Sequence, residues 1–188
     1  MRFPLLTMLT LLTSILPACA KYESPEYTIV RRDGEFEIRD YPALTVVSTP
    51  MQHRGADGSF MKLFRYISGR NEKVQKISMT TPVFMTGTES GTMSFVVPKE
   101  VARKGAPTPS NPEVSLHEFT AARYAVYRFS GSGRPGPSEK AAAKLLAWAE
   151  SQHLHTAGSA LFAYYNPPWT PGFMRRNEVL IRIVPEHR

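Results

Sequence analysis

The sequence predicts an α+β domain of antiparallel strands with two helices, made by duplicating one strand–helix–strand unit. Three observations carry that expectation. The order strand pair, helix, strand pair occurs twice along the chain. Two short strings recur at one offset of 87 residues: Pro25-Glu26 as Pro112-Glu113, and Val96-Val97-Pro98 as Ile183-Val184-Pro185. The 188 residues are 42% hydrophobic and 21% charged, which excludes disorder and suffices for one core. Neither half is apolar enough to stand alone, so the repeat reads as a single domain.

Each element has its own signal. Tyr27–Val30 and Glu35–Arg39 alternate polar and apolar around Asp33-Gly34, a hairpin turn. Ala43–Thr49 is a β-branched run between Pro42 and Pro50. After a polar loop, Asp57 or Ser59 can cap a helix. Its Phe60, Leu63, Phe64 and Ile67 recur at i, i+3, i+4 and i+7 and are expected in the core, and Gly69 stops it. Lys76–Met85 and Thr92–Val97 read as strands joined by a turn, and 101–112 as a linker. Glu113–Phe119 and Arg123–Phe129 follow as strands. The second helix runs from Glu139 to about Leu154, and Ala160–Tyr165 and Glu178–Val184 close the chain.

The first 19 residues read as a signal peptide and 20–188 as the domain. Arg2 precedes the apolar stretch 3–16, too short and too diluted by Thr and Ser for a spanning helix. Two cleavage readings stand. Ala18-Cys19-Ala20 fits an ordinary A-x-A site; Leu16-Pro17-Ala18-Cys19 resembles a bacterial lipobox. The sole Cys sits at this boundary, which favours lipidation of Cys19. The expected location is the periplasm, with a lipid anchor to the outer membrane of a Gram-negative bacterium if Cys19 is acylated. One Cys excludes an internal disulfide framework and a Cys-based zinc finger.

The formal charge of +7 favours an acidic partner. Nucleic acid is not expected, because the chain reads as exported and its basic residues are scattered. No G-x-S-x-G, H-E-x-x-H or P-loop is present, and no residue is assigned a catalytic role. His153 and His155 are two apart and do not share a helical face. His187 lies in the tail, and His117 lies in a strand that leaves its direction open. His53, in the loop before the first helix, is the best placed to reach a pocket.

Four segments are distinctive: Phe36-Glu37-Ile38-Arg39-Asp40-Tyr41; Phe60 to Asn71; Lys76-Ile77-Ser78-Met79-Thr80-Thr81-Pro82-Val83; and Tyr164-Tyr165-Asn166-Pro167-Pro168-Trp169-Thr170-Pro171 with Arg175-Arg176-Asn177-Glu178-Val179. In this order they resemble the SOUL haem-binding family over about residues 22–184. The resemblance implies a distorted antiparallel β-barrel with two flanking helices, of the SOUL and GyrI-like kind. For some members it also implies haem or free porphyrin held in an apolar groove beside the first helix.

A haem-sized disc needs apolar and Met surface for its faces and Arg or Lys for its carboxylates. Met61, Phe64 and Arg65 lie on or beside one flank of the first helix. Tyr165, Trp169 and Phe173 offer a second wall, followed by Arg175 and Arg176. His53 is the candidate axial ligand. The expected function is an exported carrier or buffer of a tetrapyrrole, without covalent chemistry. Two alternatives remain. One is a hydrolase or a binder of another small hydrophobic ligand on a GyrI-like fold, the hydrolase using a buried group with a shifted pKa, from Glu178, Glu37 or Tyr165. An envelope interaction module would need no small ligand.

Overall fold

A computed structural model describes residues 22–53, 56–132 and 135–185. The signal segment, Cys19 and His187 lie outside them. The strands are β1 (Thr28–Asp33), β2 (Phe36–Tyr41), β3 (Leu44–Met51), β4 (Val83–Thr86), β5 (Gly91–Val96), β6 (Ser115–Phe119), β7 (Ala122–Phe129), β8 (Thr156–Tyr164) and β9 (Asn177–Ile183). They form one antiparallel sheet in the order β1-β2-β7-β9-β8-β4-β5-β3-β6. The order is open, ending at β1 and β6, so the expected barrel is a strongly curled sheet rather than a closed one. Helices α1 (Ser59–Ile67) and α3 (Pro135–Ser151) are those foreseen. A short α2 (Lys99–Arg103) occupies part of the segment read as linker. Of the run 76–85, only β4 joins the sheet as a strand.

The duplication is visible in the strand order. Setting β1 aside, exchanging β2 with β6, β3 with β7, β4 with β8 and β5 with β9 reproduces the order, which is a pseudo-two-fold between β4 and β8. The structural offset is 78 residues (Leu44 to Ala122, Tyr41 to Phe119), not 87. It becomes 86 at the last strand (Gly91 to Asn177), because the β8–β9 connection is longer than the β4–β5 turn. The sequence echo at Pro25 and Pro112 therefore does not mark equivalent places. The side chains confirm the corrected offset: Val47 faces α1 and its counterpart Ala125 faces α3, as do Phe95 and its counterpart Ile181.

Both helices cover one face of the sheet. Val47, Met51, Met93 and Phe95 pack under Leu63, Tyr66 and Ile67 of α1. Ala125, Phe162, Val179 and Ile181 pack under Ala141 and Leu145 of α3. The opposite face curls on itself and buries Tyr41, Val46, Phe84, Val126 and Leu180. Strand alternation produces this division, since every second residue changes face.

The buried stripe of α1 differs from expectation. Leu63 and Ile67 are in the core, but Phe60 and Phe64 stay 41% and 43% exposed. Tyr66 takes the central place because its hydroxyl donates to the Pro107 carbonyl at 2.9 Å, which makes its burial tolerable. Entry to the helix is fixed by Asp57, whose carboxylate accepts from the backbone N–H groups of Ser59 (3.0 Å) and Gln52 (2.9 Å). Gly58, at φ 82, makes the left-handed turn between them.

Candidate functional site

The exposed flank of α1 is apolar. Phe60 and Phe64 stack at 6.2 Å, Phe60 meets the buried Phe95 edge-on at 5.2 Å, and Met61 is 46% exposed. Successive positions turn by about 100° around a helix. Phe64 and Arg65 therefore point to different flanks, and Met61 lies between them. Arg65 lines a cleft of about 230 Å³ with Lys62, Tyr66, Arg70 and residues of the 109–114 segment. Lys62 also pairs with Glu113 at 3.1 Å. The aromatic surface and the basic cleft thus adjoin through Met61 rather than sharing one flank.

The second expected wall is the β8–β9 hairpin, 165–176. Its Pro-rich turn holds out Trp169, Phe173 and Met174, at 82%, 81% and 65% exposure. A 3-10 turn over Gly172–Met174 carries two of them. Arg175 rigidifies this hairpin. Its guanidinium donates to the carbonyls of Thr170 (2.7 Å), Ser132 (3.0 Å) and Pro168. Three aromatic and sulfur-bearing side chains are therefore kept in water by a cation spent on backbone oxygens.

Tyr165 and Arg176 are committed elsewhere. Glu178 is fully buried, and its carboxylate accepts from Arg39 (2.8 and 3.2 Å), Arg176 (3.0 and 2.7 Å) and the Tyr165 hydroxyl (3.0 Å). Arg39 also reaches Glu37 at 2.6 Å and Tyr41 at 3.2 Å. The guanidinium of Arg176 lies over the Tyr165 ring at 3.9 Å, and that of Arg39 over Tyr27 at 4.2 Å. Arg32 reaches Glu37 as well, at 3.0 Å, so three guanidiniums face two carboxylates in the network. Burial alone would raise the Glu178 carboxyl, but hydrogen bonding and charge from Arg39, then Arg176, hold it below its ordinary value. Burial pushes the Tyr41 hydroxyl up to about 12, and burial followed by the Glu178 charge raises Tyr165 as well. Glu178 and Tyr165 are paired rather than aimed into a cavity, which is the arrangement of a structural lock.

His53 is exposed in the loop before α1, at φ 47, and its carbonyl accepts from the Ala56 N–H at 3.0 Å. Sequence reasoning gave no role to Lys62, Arg70 or Met174. Lys62 and Arg70 were hidden because the 109–114 segment, remote in sequence, makes their cleft.

A family description, SOUL heme-binding protein, matches residues 22–182. Heme-binding protein 1 of Xenopus tropicalis is 25% identical over 79% of this chain and 84% of its own length. Heme-binding protein 2 of Mus musculus is 32% identical over 58% of each chain. Among solved structures, the C-terminal domain of EcmrR superposes with a TM-score of 0.59 at 12% identity, covering 84% of this chain and 98% of that one. The same likeness in the EcmrR–DNA complex scores 0.61 at 11% identity and covers 79% of this chain but only 56% of that longer chain. A hydrolase from Listeria innocua gives 0.56 at 12% identity over 88% and 94%. At such identities the structural likeness concerns the fold alone.

Proposed function

The chain belongs to the SOUL haem-binding protein family, and from that premise we propose that it binds haem or a metal-free porphyrin non-covalently between α1 and the β8–β9 hairpin. The observation that carries this reading is the pair of exposed apolar walls. Phe60, Met61 and Phe64 stand on α1, and Trp169, Phe173 and Met174 stand on the hairpin. Isolated exposed apolar residues are ordinary, but two clusters on rigid supports suit an apolar ligand.

The pseudo-two-fold supports their facing one another. Thr88 of the β4–β5 turn donates to Glu139, in the first turn of α3, at 3.1 Å. The repeat maps Glu139 onto Met61 and that turn onto the β8–β9 hairpin. The hairpin is longer, so in this reading it offers the α1 flank more surface than the β4–β5 turn offers α3. The residues present fit a tetrapyrrole: apolar faces for the macrocycle, and Lys62, Arg65 and Arg70 at the adjoining cleft for its carboxylates. Arg175 and Arg176 act in this reading by holding the second wall. His53 is the proposed axial imidazole. Export, and membrane attachment through Cys19, complete the proposed role as an envelope carrier or buffer.

Titrating haem into the purified chain tests it. The expected result is a saturable Soret shift at micromolar haem, weakened about tenfold by Phe64→Ala or Trp169→Ala, a loss of ~1.4 kcal/mol. A spectrum that never saturates overturns the reading. Replacing His53 by Ala changes the bands of the ferric complex if that imidazole ligates iron, and leaves them unaltered if it does not. Mass spectrometry of the membrane-extracted protein decides whether Cys19 carries acyl chains.

A further inference from the structure

The sheet face away from α1 holds a second cleft, of about 300 Å³, at the β3–β5–β6 end. Its wall includes Ser48, Thr92, Ser94, Ser115, His117 and Phe119. Strand register places them on one face: Ser48 lies opposite both Ser94 and Ser115, and His117 lies opposite Val46. Ser48 and Ser94 are each only 2% exposed, with their hydroxyls 2.6 Å apart. The Nε2 of His117 stands 3.5 Å from the Ser48 hydroxyl, and its ring packs against Phe119 at 5.5 Å.

The internal repeat shows what this place becomes when it is only structural. At the offset of 78, His117 corresponds to Arg39, Phe119 to Tyr41 and Ser115 to Glu37. At the offset of 86, Thr92 corresponds to Glu178. At the β2–β7–β9 end of the sheet these positions hold the ion network that fills that end. At the β3–β5–β6 end Arg39, Glu37 and Glu178 are replaced by an imidazole and two hydroxyls, and a cleft stands open. The backbone frame is the same, so the space comes from side-chain choice.

We infer that this cleft is a binding site for a small neutral polyol, about the size of one sugar ring, separate from the proposed tetrapyrrole surface. The chemistry follows from the lining. No lining residue is Asp, Glu, Lys or Arg, so an ionic ligand would lose its hydration without a counter-charge. Hydroxyl side chains both donate and accept, as ligand hydroxyls do. Phe119 and Pro50 supply apolar surface for the C–H face of a ring. The volume is at the lower end of the ~300–1,000 Å³ typical of small-molecule sites, which excludes a macrocycle.

Amide shift mapping of the isotope-labelled chain with glucose, myo-inositol and glucuronate tests this. Saturable shifts from glucose or inositol are expected in β3, β5 and β6, with glucuronate binding at least tenfold more weakly. Ser115→Val and His117→Leu, both at the exposed rim, are expected to weaken binding about tenfold while leaving the melting curve in place. Saturating haem is expected to leave polyol binding unchanged. The inference is overturned by an absence of saturable shifts up to the solubility of both polyols, by shifts centred on α1, by equal binding of glucuronate, or by rim variants that bind as tightly as the parent.

Discussion

Helices α1 and α3 occupy equivalent places over the sheet, yet they present different surfaces. At the offset of 78, Phe60, Met61 and Phe64 of α1 correspond to Ser138, Glu139 and Ala142 of α3. The α3 half closes its own apolar surface: Trp148 stacks on Phe36 at 4.8 Å and its indole N–H donates to Asp33 at 2.9 Å. The other sheet face repeats the contrast. The β2–β7–β9 end is filled by Glu178, Arg39 and Arg176, whereas the β3–β5–β6 end leaves an open cleft lined by no Asp, Glu, Lys or Arg. On the sheet face the β2–β7–β9 end is closed and the β3–β5–β6 end is open, while exposed apolar surface stands on α1 and on the β8–β9 hairpin.

The largest test of that contrast is Glu178→Gln. It leaves Arg39, with a side chain 4% exposed, and Arg176 without their shared carboxylate, Glu37 remaining the one full charge on Arg39, and a loss of about 3 kcal/mol in chemical unfolding is expected. A loss below ~1 kcal/mol would break the comparison, because the β2–β7–β9 end would then not be locked by its network. Replacing the buried pair together, Arg39→Met with Glu178→Leu, is expected to recover much of that loss, since well-packed apolar groups can match a buried ion pair.

Acid separates the two ends next. The folded Glu178 carboxyl lies below its ordinary value of 4.5. The unfolded chain therefore binds the proton first, and the Glu178 contribution is complete above about pH 4.5. It is lost as pH falls through the lower folded value. Unfolding measured across that range is expected to show a steeper acid decline in the parent than in Glu178→Gln. Equal slopes would remove Glu178 from the acid response.

Smaller effects belong to the open surfaces. Ser94→Val removes the 2.6 Å hydrogen bond to Ser48 and is expected to cost about 0.5–1.5 kcal/mol. A cost as large as that of Glu178→Gln would make the cleft a structural element after all. Least of all, Trp169→Ala and Phe173→Ala are expected to shift stability by no more than ~0.5 kcal/mol, because both side chains are largely in water. A larger loss in thermal unfolding would place them in the frame rather than on a surface.

Much of the fold was legible before the structure. The turn at Asp33-Gly34, the stop at Gly69 and the strand alternation in 92–97 and 123–129 are local signals, set by backbone sterics and a two-residue period. The role of Phe60 and Phe64 was not legible. Their i, i+4 spacing suits a core stripe, and only the hydrogen bond from Tyr66 to Pro107, 41 residues away, shows that Tyr66 takes the buried place. Arg175 and Arg176 looked alike in sequence, but one holds backbone carbonyls and the other a buried carboxylate. The basic cleft and the polyol cleft were both out of reach, since each joins segments far apart along the chain.

By itself the sequence determined the α+β class, the order of elements, the existence of a repeat and the family resemblance. Those follow from periodicity, turn chemistry and contiguous strings, all of which act over a few residues. The tertiary structure alone decided the true offset of the repeat, the open sheet, the pairing of Glu178 with Arg39 from the other end of the chain, and which surfaces stay free. These depend on which distant side chains meet across the sheet. Such meetings are fixed by strand register and by the need to satisfy every buried charge, and no local pattern encodes them.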